Sequence, residues 1–553
     1  MRLAPLLLII FIAVGALAAD THPDLIVVIS IDQFPYKYIP RFAPYFGDDG
    51  FNRFLKHGAS FSEARYSHAI TETGPGHAAI GTGNPPSRSG IVSNNWFDRL
   101  THATVYCVSD PRVSPPFSPL NLGADTLGDR VQEKYPGAKV IGVAIKDRAA
   151  ILMTGRKGTA AYWFTPDLPG FTTSTYYGAA NRTMVSAYNA TVPEYVQSHK
   201  VWEQTSFIPA ADLQKITHDP ESLRKYKTNA ENLEVAFPHP IKSIGALTTS
   251  PFGNGLVISM AERVLETEQV GTADGTPDLL YVGLSSPDYI GHAFGPDSLE
   301  AADGVVRTDG DLAGFFSFLD AHFGDRYTVA LTSDHGVQSI PEVAQALGRD
   351  AGRFGMSDPR KNDKTFGDLA KSAPERVQLE KRVAAGFKVA VSDETPLHDR
   401  LIEAFQEPAI YLSWDRVRDL KLDGERVKVA MRDTLRKMKG VVGAWTNSEL
   451  MIPDPKAAGV ELAMRNAFRA DRSGDVLIAL KPGWIWRYGL TGATHGQPVE
   501  DDMHVPVMLY GRGITAGAFA THAAPTDLAK TLGALLGVDA GGGESVVLPC
   551  VTK

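Results

Sequence analysis

Leu25–Ile31 (LIVVISI) is an unbroken apolar run that stops at Asp32. A strand buried on both faces has this form, and such strands belong to parallel sheets covered by helices on either side. The form recurs at Lys139–Ile145 (KVIGVAI), Leu279–Leu284 (LLYVGL), Tyr327–Thr332 (YTVALT), Asp475–Leu480 (DVLIAL) and Val505–Tyr510 (VPVMLY). Helical patterns lie between the runs, as at Gly310–Phe323 and Asp527–Leu536. The alternation predicts an α/β fold with a mostly parallel central sheet and helices on both faces. Sites in such sheets form at the carboxyl ends of the strands. Asp32, Lys146, Asp288 and Asp334 lie at or just past those ends.

Two stretches lack this rhythm. Residues 151–275 are rich in Thr, Tyr, Asn and Pro, and residues 340–475 are charged and more helical. Both are expected as insertions into one catalytic domain of residues 19–553, placed to cap the site. A separate second domain is the alternative for the longer stretch. Residues 1–18 have the form of an export signal. Arg2 supplies the positive charge, Leu6–Val14 the apolar segment and Ala16-Leu17-Ala18 the small-residue cleavage site. The mature protein is expected in the periplasm or secreted, with no membrane span. An uncleaved anchor is the other reading.

The 553 residues, 43% hydrophobic and 21% charged, have the composition of a globular chain. The formal charge of -8 argues against a broad nucleic-acid footprint. Only Cys107 and Cys550 are present, without zinc-ribbon spacing, so a cysteine-based metal site is excluded. The two form either one disulfide or two buried thiols. A monomer is the favoured state.

Asp288-x-x-x-His292 places a carboxylate and an imidazole on one face of a helical turn. Asp334-His335-Gly336 follows a strand, where a turn lets both side chains face one site. His495 lies in the glycine-flanked stretch Gly492-Ala493-Thr494-His495-Gly496. Each is a weak signal alone; their joint position at strand ends makes a metal centre the better reading. Asp and His without Cys suit zinc, with Mn or Co as substitutes. The natural division puts Asp288, His292 and His495 on one ion, and Asp32, Asp334 and His335 on the other.

Thr71-Glu72-Thr73-Gly74-Pro75-Gly76-His77 supplies the nucleophile candidate, Thr73. A divalent ion and a helix N-terminus would both favour its alkoxide, so Thr73 counts as a metal contact as well. Gly74 and Gly76 permit close backbone approach, and a helix is expected to start near Ala78. Backbone amides there, Gly74's among them, can donate to phosphate. Thr73 as a plain helix N-cap is the bland reading. Asn94 offers a neutral donor. Lys146 and Arg148, at a strand end, point the same way by alternation and can grip phosphate oxygens.

The chain resembles the alkaline phosphatase superfamily, and within it the bacterial PafA-type alkaline phosphatases. The resemblance spans most of the mature chain. It rests on Ile31-Asp32-Gln33, Thr73-Gly74-Pro75-Gly76-His77, Gly90 to Trp96, Lys146-Asp147-Arg148, Asp288-x-x-x-His292, Asp334-His335-Gly336 and Thr494-His495-Gly496. It implies two zinc ions per chain, divided as above, and hydrolysis of small phosphate monoesters (EC 3.1.3.1) through a phosphothreonine on Thr73. Thr-x-Pro-x-His with Asn twenty-one residues on is similar also to nucleotide pyrophosphatase/phosphodiesterases. That branch lacks the Lys-x-Arg pair, so Lys146 and Arg148 favour the monoesterase. A non-catalytic metal- or phosphate-binding protein is the reading from another class. Asn84-x-Pro86-x-Arg88 begins with a residue that cannot become formylglycine, which argues against a sulfatase.

Overall fold

Leu25–Ile31 forms β1, and every residue of it is buried. Leu25, Val27, Ile29 and Ile31 enter one hydrophobic core, while Ile26 and Val28 enter another on the opposite face. Strand alternation thus sends successive apolar side chains into two helix-covered layers. Each buried Val, Leu or Ile contributes about 1.5–3 kcal/mol. The computed structural model describes residues 22–165, 169–273, 275–356, 368–369, 373–486 and 489–551. The expected export signal lies outside them.

Around β1 is a nine-stranded sheet. Its other members are β2 (Ala59–Ala64), β3 (Val140–Ala144), β4 (Ala160–Thr165), β5 (Gly170–Thr172), β6 (Asp278–Leu284), β7 (Tyr327–Thr332), β12 (Val507–Gly511) and β13 (Gly517–Ala523). The order is β13-β2-β12-β7-β1-β6-β3-β4-β5. Strands β7, β1, β6, β3 and β4 are parallel neighbours. Of the nine, only β12 and β5 run against the rest. Ile31 pairs with Leu284, and Ser30 with Thr332. Three strands therefore end level, and the residues after them share one edge.

A second sheet joins β8 (Ile402–Gln406), β9 (Ala409–Leu412), β10 (Val441–Thr446) and β11 (Val476–Leu480) in the order β8-β9-β11-β10. Val476, Ile478 and Leu480 face its own core. Leu477 and Ala479 face Ala69, Ile70 and Phe97 of the main body.

The structure differs from the sequence expectation in four places. The run Asp475–Leu480 is a strand, but of the smaller sheet. The run Val505–Tyr510 becomes β12, antiparallel to β7. The chain reaches it from the carboxyl edge and must run back. Within residues 151–275, β4 and β5 pair into the large sheet. The helix expected over Gly310–Phe323 starts earlier, at Leu299, because the Ser298 side chain accepts from the Ala301 amide. Cys107 and Cys550 are both free and buried. They belong to cores on opposite faces of the sheet, which excludes a disulfide between them. Among the described residues, no helix is long and apolar enough to cross a membrane.

Asp311, in the helix Leu299–Phe323, has a carboxylate oxygen without a hydrogen-bond partner among the described residues. Burial pushes its carboxyl up to about 7, with Arg307 opposing. The folded state therefore holds a proton that the unfolded chain releases near pH ~4. Stability falls as pH rises from that value to about 7, the folded-state pKa. Asp311→Asn is expected to melt higher than the wild type at pH 8, with the difference vanishing near pH 4; melting curves at the two pH values check this.

Candidate metal and nucleophile site

Asp32 leaves the end of β1, and Asp334 and His335 follow β7. A turn brings the latter two onto one side. The Phe34 amide donates to Ser333 Oγ at 2.9 Å, and Ser333 Oγ donates to the His335 carbonyl at 2.6 Å. His335 Nε2 then lies 3.5 Å from Asp32 Oδ1 and 3.3 Å from Asp334 Oδ2. On the other side, β6 leads into α3 (Ser286–Phe294), which carries Asp288 and His292 on one face. His292 Nε2 is 3.2 Å, and His495 Nε2 3.5 Å, from Asp288 Oδ1. The two trios adjoin: the His335 and His495 rings stack with centroids 3.6 Å apart. His335 is also close enough to Asp288 and His495 to share a cation with them.

The chemistry of these atoms fits divalent cations. Each imidazole uses Nδ1 on a main-chain carbonyl: His292 on Ala493 at 2.8 Å, His335 on Gly336 at 3.0 Å and His495 on Thr71 at 2.7 Å. With the proton on Nδ1, the Nε2 lone pairs face the carboxylates, an arrangement typical of metal-binding histidine. Among the described residues, Asp32 Oδ1, Asp334 Oδ2 and His335 Nε2 are buried without a hydrogen-bond partner. Burial, then the adjacent Asp32 carboxylate, push Asp334 well above the usual carboxylate range. Like charges and lone pairs this close call for cations between them. Burial first, and then the nearby His495, hold His335 low; burial also lowers His495. His292 moves up: burial opposes its charged form, but Asp288 outweighs it.

Thr73 is 1% exposed and opens α1 (Thr73–Thr82). The helix begins there rather than near Ala78, and Glu72, not Thr73, occupies the cap position. The side chain of Thr73 is thus not spent on capping. Lys146 Nζ is 2.8 Å from Asp32 Oδ2, 2.6 Å from Asp288 Oδ2 and 3.3 Å from Thr73 Oγ1. Arg148 Nη2 is 3.3 Å from the same Oγ1. The pair converges through the first turn of α2 (Asp147–Thr154), which starts directly after Lys146, and not through strand alternation. Burial works against the Lys146 ammonium, but Asp288 and Asp32 outweigh it and hold it above the usual lysine range. Lys146 thus places a cation beside the hydroxyl.

Asn94 and Gly74 are brought together differently from expectation. The Gly74 amide donates to Asn94 Oδ1 at 2.7 Å, so it is already engaged. The bond leaves the Asn94 Nδ2 group as the available donor. Glu72 holds this loop: its Oε2 accepts from the Asn94 amide at 2.7 Å and from Ser93 Oγ at 2.9 Å. The sequence motifs contain Glu72, His77 and Gln33 without assigning them a role, and Tyr106 falls in none of them. His77 Nδ1 is 2.8 Å from the Thr73 carbonyl and 3.3 Å from Asp334 Oδ2, and burial pushes its imidazole down to about 4. Its i+4 spacing from Thr73 was the available signal. The Tyr106 hydroxyl donates to Asp147 Oδ1 at 2.5 Å and accepts from Arg148 Nη1 at 3.3 Å, fixing the guanidinium; nothing in the local sequence marks it.

The family described as type I phosphodiesterase / nucleotide pyrophosphatase matches residues 26–501. Alkaline phosphatase PafA of Elizabethkingia meningoseptica is 31% identical over 94% of this chain and 92% of its own length. Alkaline phosphatase PhoV of Synechococcus elongatus is 30% identical over 93% of this chain and 90% of its own. The crystal structure of wild-type PafA superposes with a TM-score of 0.82 at 29% identity, covering 95% of this chain and 99% of that one. Murine ectonucleotide pyrophosphatase/phosphodiesterase 5 shares the fold, at a TM-score of 0.54 and 14% identity over 95% of this chain and all of its own. The fold and the matches define a hydrolase of the alkaline phosphatase superfamily, of phosphatase or phosphodiesterase type. Within it, the chain belongs to the type I phosphodiesterase / nucleotide pyrophosphatase family.

Gly76 lets α1 rest on the strand end. A Cβ at this position would stand 2.3 Å from the Asp334 carbonyl oxygen and 2.7 Å from Asp334 Cβ. Gly76→Ala must push Thr73 away from Asp334. A stability loss of about 1–3 kcal/mol is expected from such overpacking, measured by denaturant unfolding.

Proposed function

We propose that the protein is a zinc-dependent alkaline phosphatase that hydrolyses phosphate monoesters through a phosphothreonine on Thr73. The observation that carries this reading is the meeting of two cations, Lys146 and Arg148, on one buried hydroxyl, Thr73 Oγ1, each at 3.3 Å. A relative gives further support: a PafA variant with a TM-score of 0.83 to this chain carries substitutions at a Thr, an Asn, a Lys and an Arg. Those residue types are the ones gathered here.

Asp32, Asp334 and His335 would hold one ion, and Asp288, His292 and His495 the other. When bound, the ions supply Lewis acidity and charge that lower the pKa of a hydroxyl or water and stabilise a leaving oxygen. The chain's own residues do the rest. Thr73 Oγ attacks phosphorus as the bond to the ester oxygen breaks, and the alcohol departs. Lys146 and Arg148 favour the ionised hydroxyl and neutralise charge on the phosphoryl oxygens. The Asn94 amide adds a neutral donor, oriented by the Gly74 amide and Glu72. Water then cleaves the Thr73–phosphorus bond and releases phosphate. Burial of Thr73 keeps bulk water away during the first step.

The remaining features follow the same reading. Residues 1–18 direct export to the periplasm or beyond, and one catalytic domain spans residues 19–553. The stretches at about 151–275 and 340–475, apart from the sheet strands within the first, cap the site. A monomer suffices for it, since every residue named above comes from one chain. The family match favours a second reading, a nucleotide pyrophosphatase/phosphodiesterase. Zinc bound without turnover would instead mark a non-catalytic binding protein.

Three measurements test the reading. Thr73→Ala is expected to lower turnover at least about 1,000-fold while zinc and phosphate still bind; a retained burst of product would remove Thr73 from the mechanism. Chelation is expected to abolish activity and added zinc to restore it, with indifference to chelators counting against the metals. Lys146→Ala combined with Arg148→Ala should cost p-nitrophenyl phosphate about 100-fold or more and bis-p-nitrophenyl phosphate far less. Equal losses, or faster diester turnover by the wild type, would favour the diesterase.

A further inference from the structure

Gln33 follows Asp32 and touches both halves of the site. Its main chain is left-handed, with φ of 60°. This conformation is uncommon for a residue with a side chain and collects at functional positions. Its amide donates to Asp334 Oδ1 at 3.1 Å. Its side-chain Nε2 donates to Asp288 Oδ1 at 2.6 Å. One residue thus grips a carboxylate of each trio, through its backbone on one side and its side chain on the other. Helix α3 makes room for this contact. A Cβ at Gly291 would stand 1.7 Å from Gln33 Oε1, so a glycine there is what admits the amide.

We propose that Gln33 is a positioning residue that sets the spacing of the two cation sites by bracing Asp288 against Asp334. The inference rests on the reading of the two trios as metal ligands. An amide N–H on a carboxylate fixes its rotation. Losing such an outer contact typically costs about 10–100-fold in metal affinity. The side-chain contact acts on the Asp288 trio, whereas the backbone contact acts on the Asp334 trio and survives any change of side chain.

The test is metal content per chain, read by mass spectrometry across a chelator series, on the full-length protein. Gln33→Gly suits the left-handed backbone, keeps the amide bond to Asp334 and removes the brace on Asp288. It is expected to lose one ion at about 10- to 100-fold lower chelator than the wild type while keeping the other. Gln33→Glu keeps the size but turns an acceptor toward Asp288 Oδ1, and is expected to lose that ion more readily still. A merely space-filling Gln33 gives the opposite order, with Gln33→Glu better than Gln33→Gly. That order, unchanged retention in both variants, or loss of both ions together in Gln33→Gly would overturn the brace. A wild type that binds no metal overturns the metal reading itself, a result distinct from these.

Discussion

Three aspartates, Asp32, Asp288 and Asp334, are buried within a few ångströms of each other, and their mutual repulsion is the constraint around which the molecule is arranged. Carboxylates withdrawn from water are costly unless cations or hydrogen bonds compensate them. Lys146 meets two of them directly. The imidazoles turn their Nε2 atoms toward all three. The remaining lone pairs are what divalent ions would satisfy. The sheet makes the crowding possible: β1, β6 and β7 end level, so residues hundreds of positions apart in sequence arrive at one edge.

The same crowding explains why the neighbouring backbone is so closely fitted. Gly76 lets α1 lie against Asp334, and Gly291 lets Gln33 reach Asp288. Thr73 can sit at the start of a helix with its hydroxyl turned to Lys146 and Arg148 because Glu72 takes the cap position. Glu72 in turn ties down the loop carrying Asn94. The site is thus set by close approaches of main chain as much as by its charged groups.

Much of this was legible in the sequence. Buried parallel strands are recognisable because nearly every residue in them is apolar, and the polar residue that follows each run marks the site edge. That logic finds Asp32, Asp288, Asp334, His335 and Lys146. It fails for Asp475–Leu480, because a strand packed between two cores has the same composition in either sheet. It also fails for β2, whose alternating burial leaves only a short mixed pattern. Lys146 and Arg148 were paired for the wrong local reason, since a helical turn, not a strand, aligns them. Gln33, Glu72 and Tyr106 act through tertiary approach and backbone handedness, which no spacing rule encodes. The engagement of the Gly74 amide is likewise invisible in the sequence, because Asn94 reaches it from twenty residues away.

The stacked rings of His335 and His495 carry a last implication for biogenesis. Asp32, Asp334 and His335 have all been synthesised once the ribosome passes residue 335, but their partner trio is incomplete until His495 emerges and the smaller sheet has formed ahead of it. A chain cut short before His495 is therefore not a weakened catalyst. It is a protein with one trio complete and the other short of an imidazole, the His335 ring uncovered, and no means of assembling the rest.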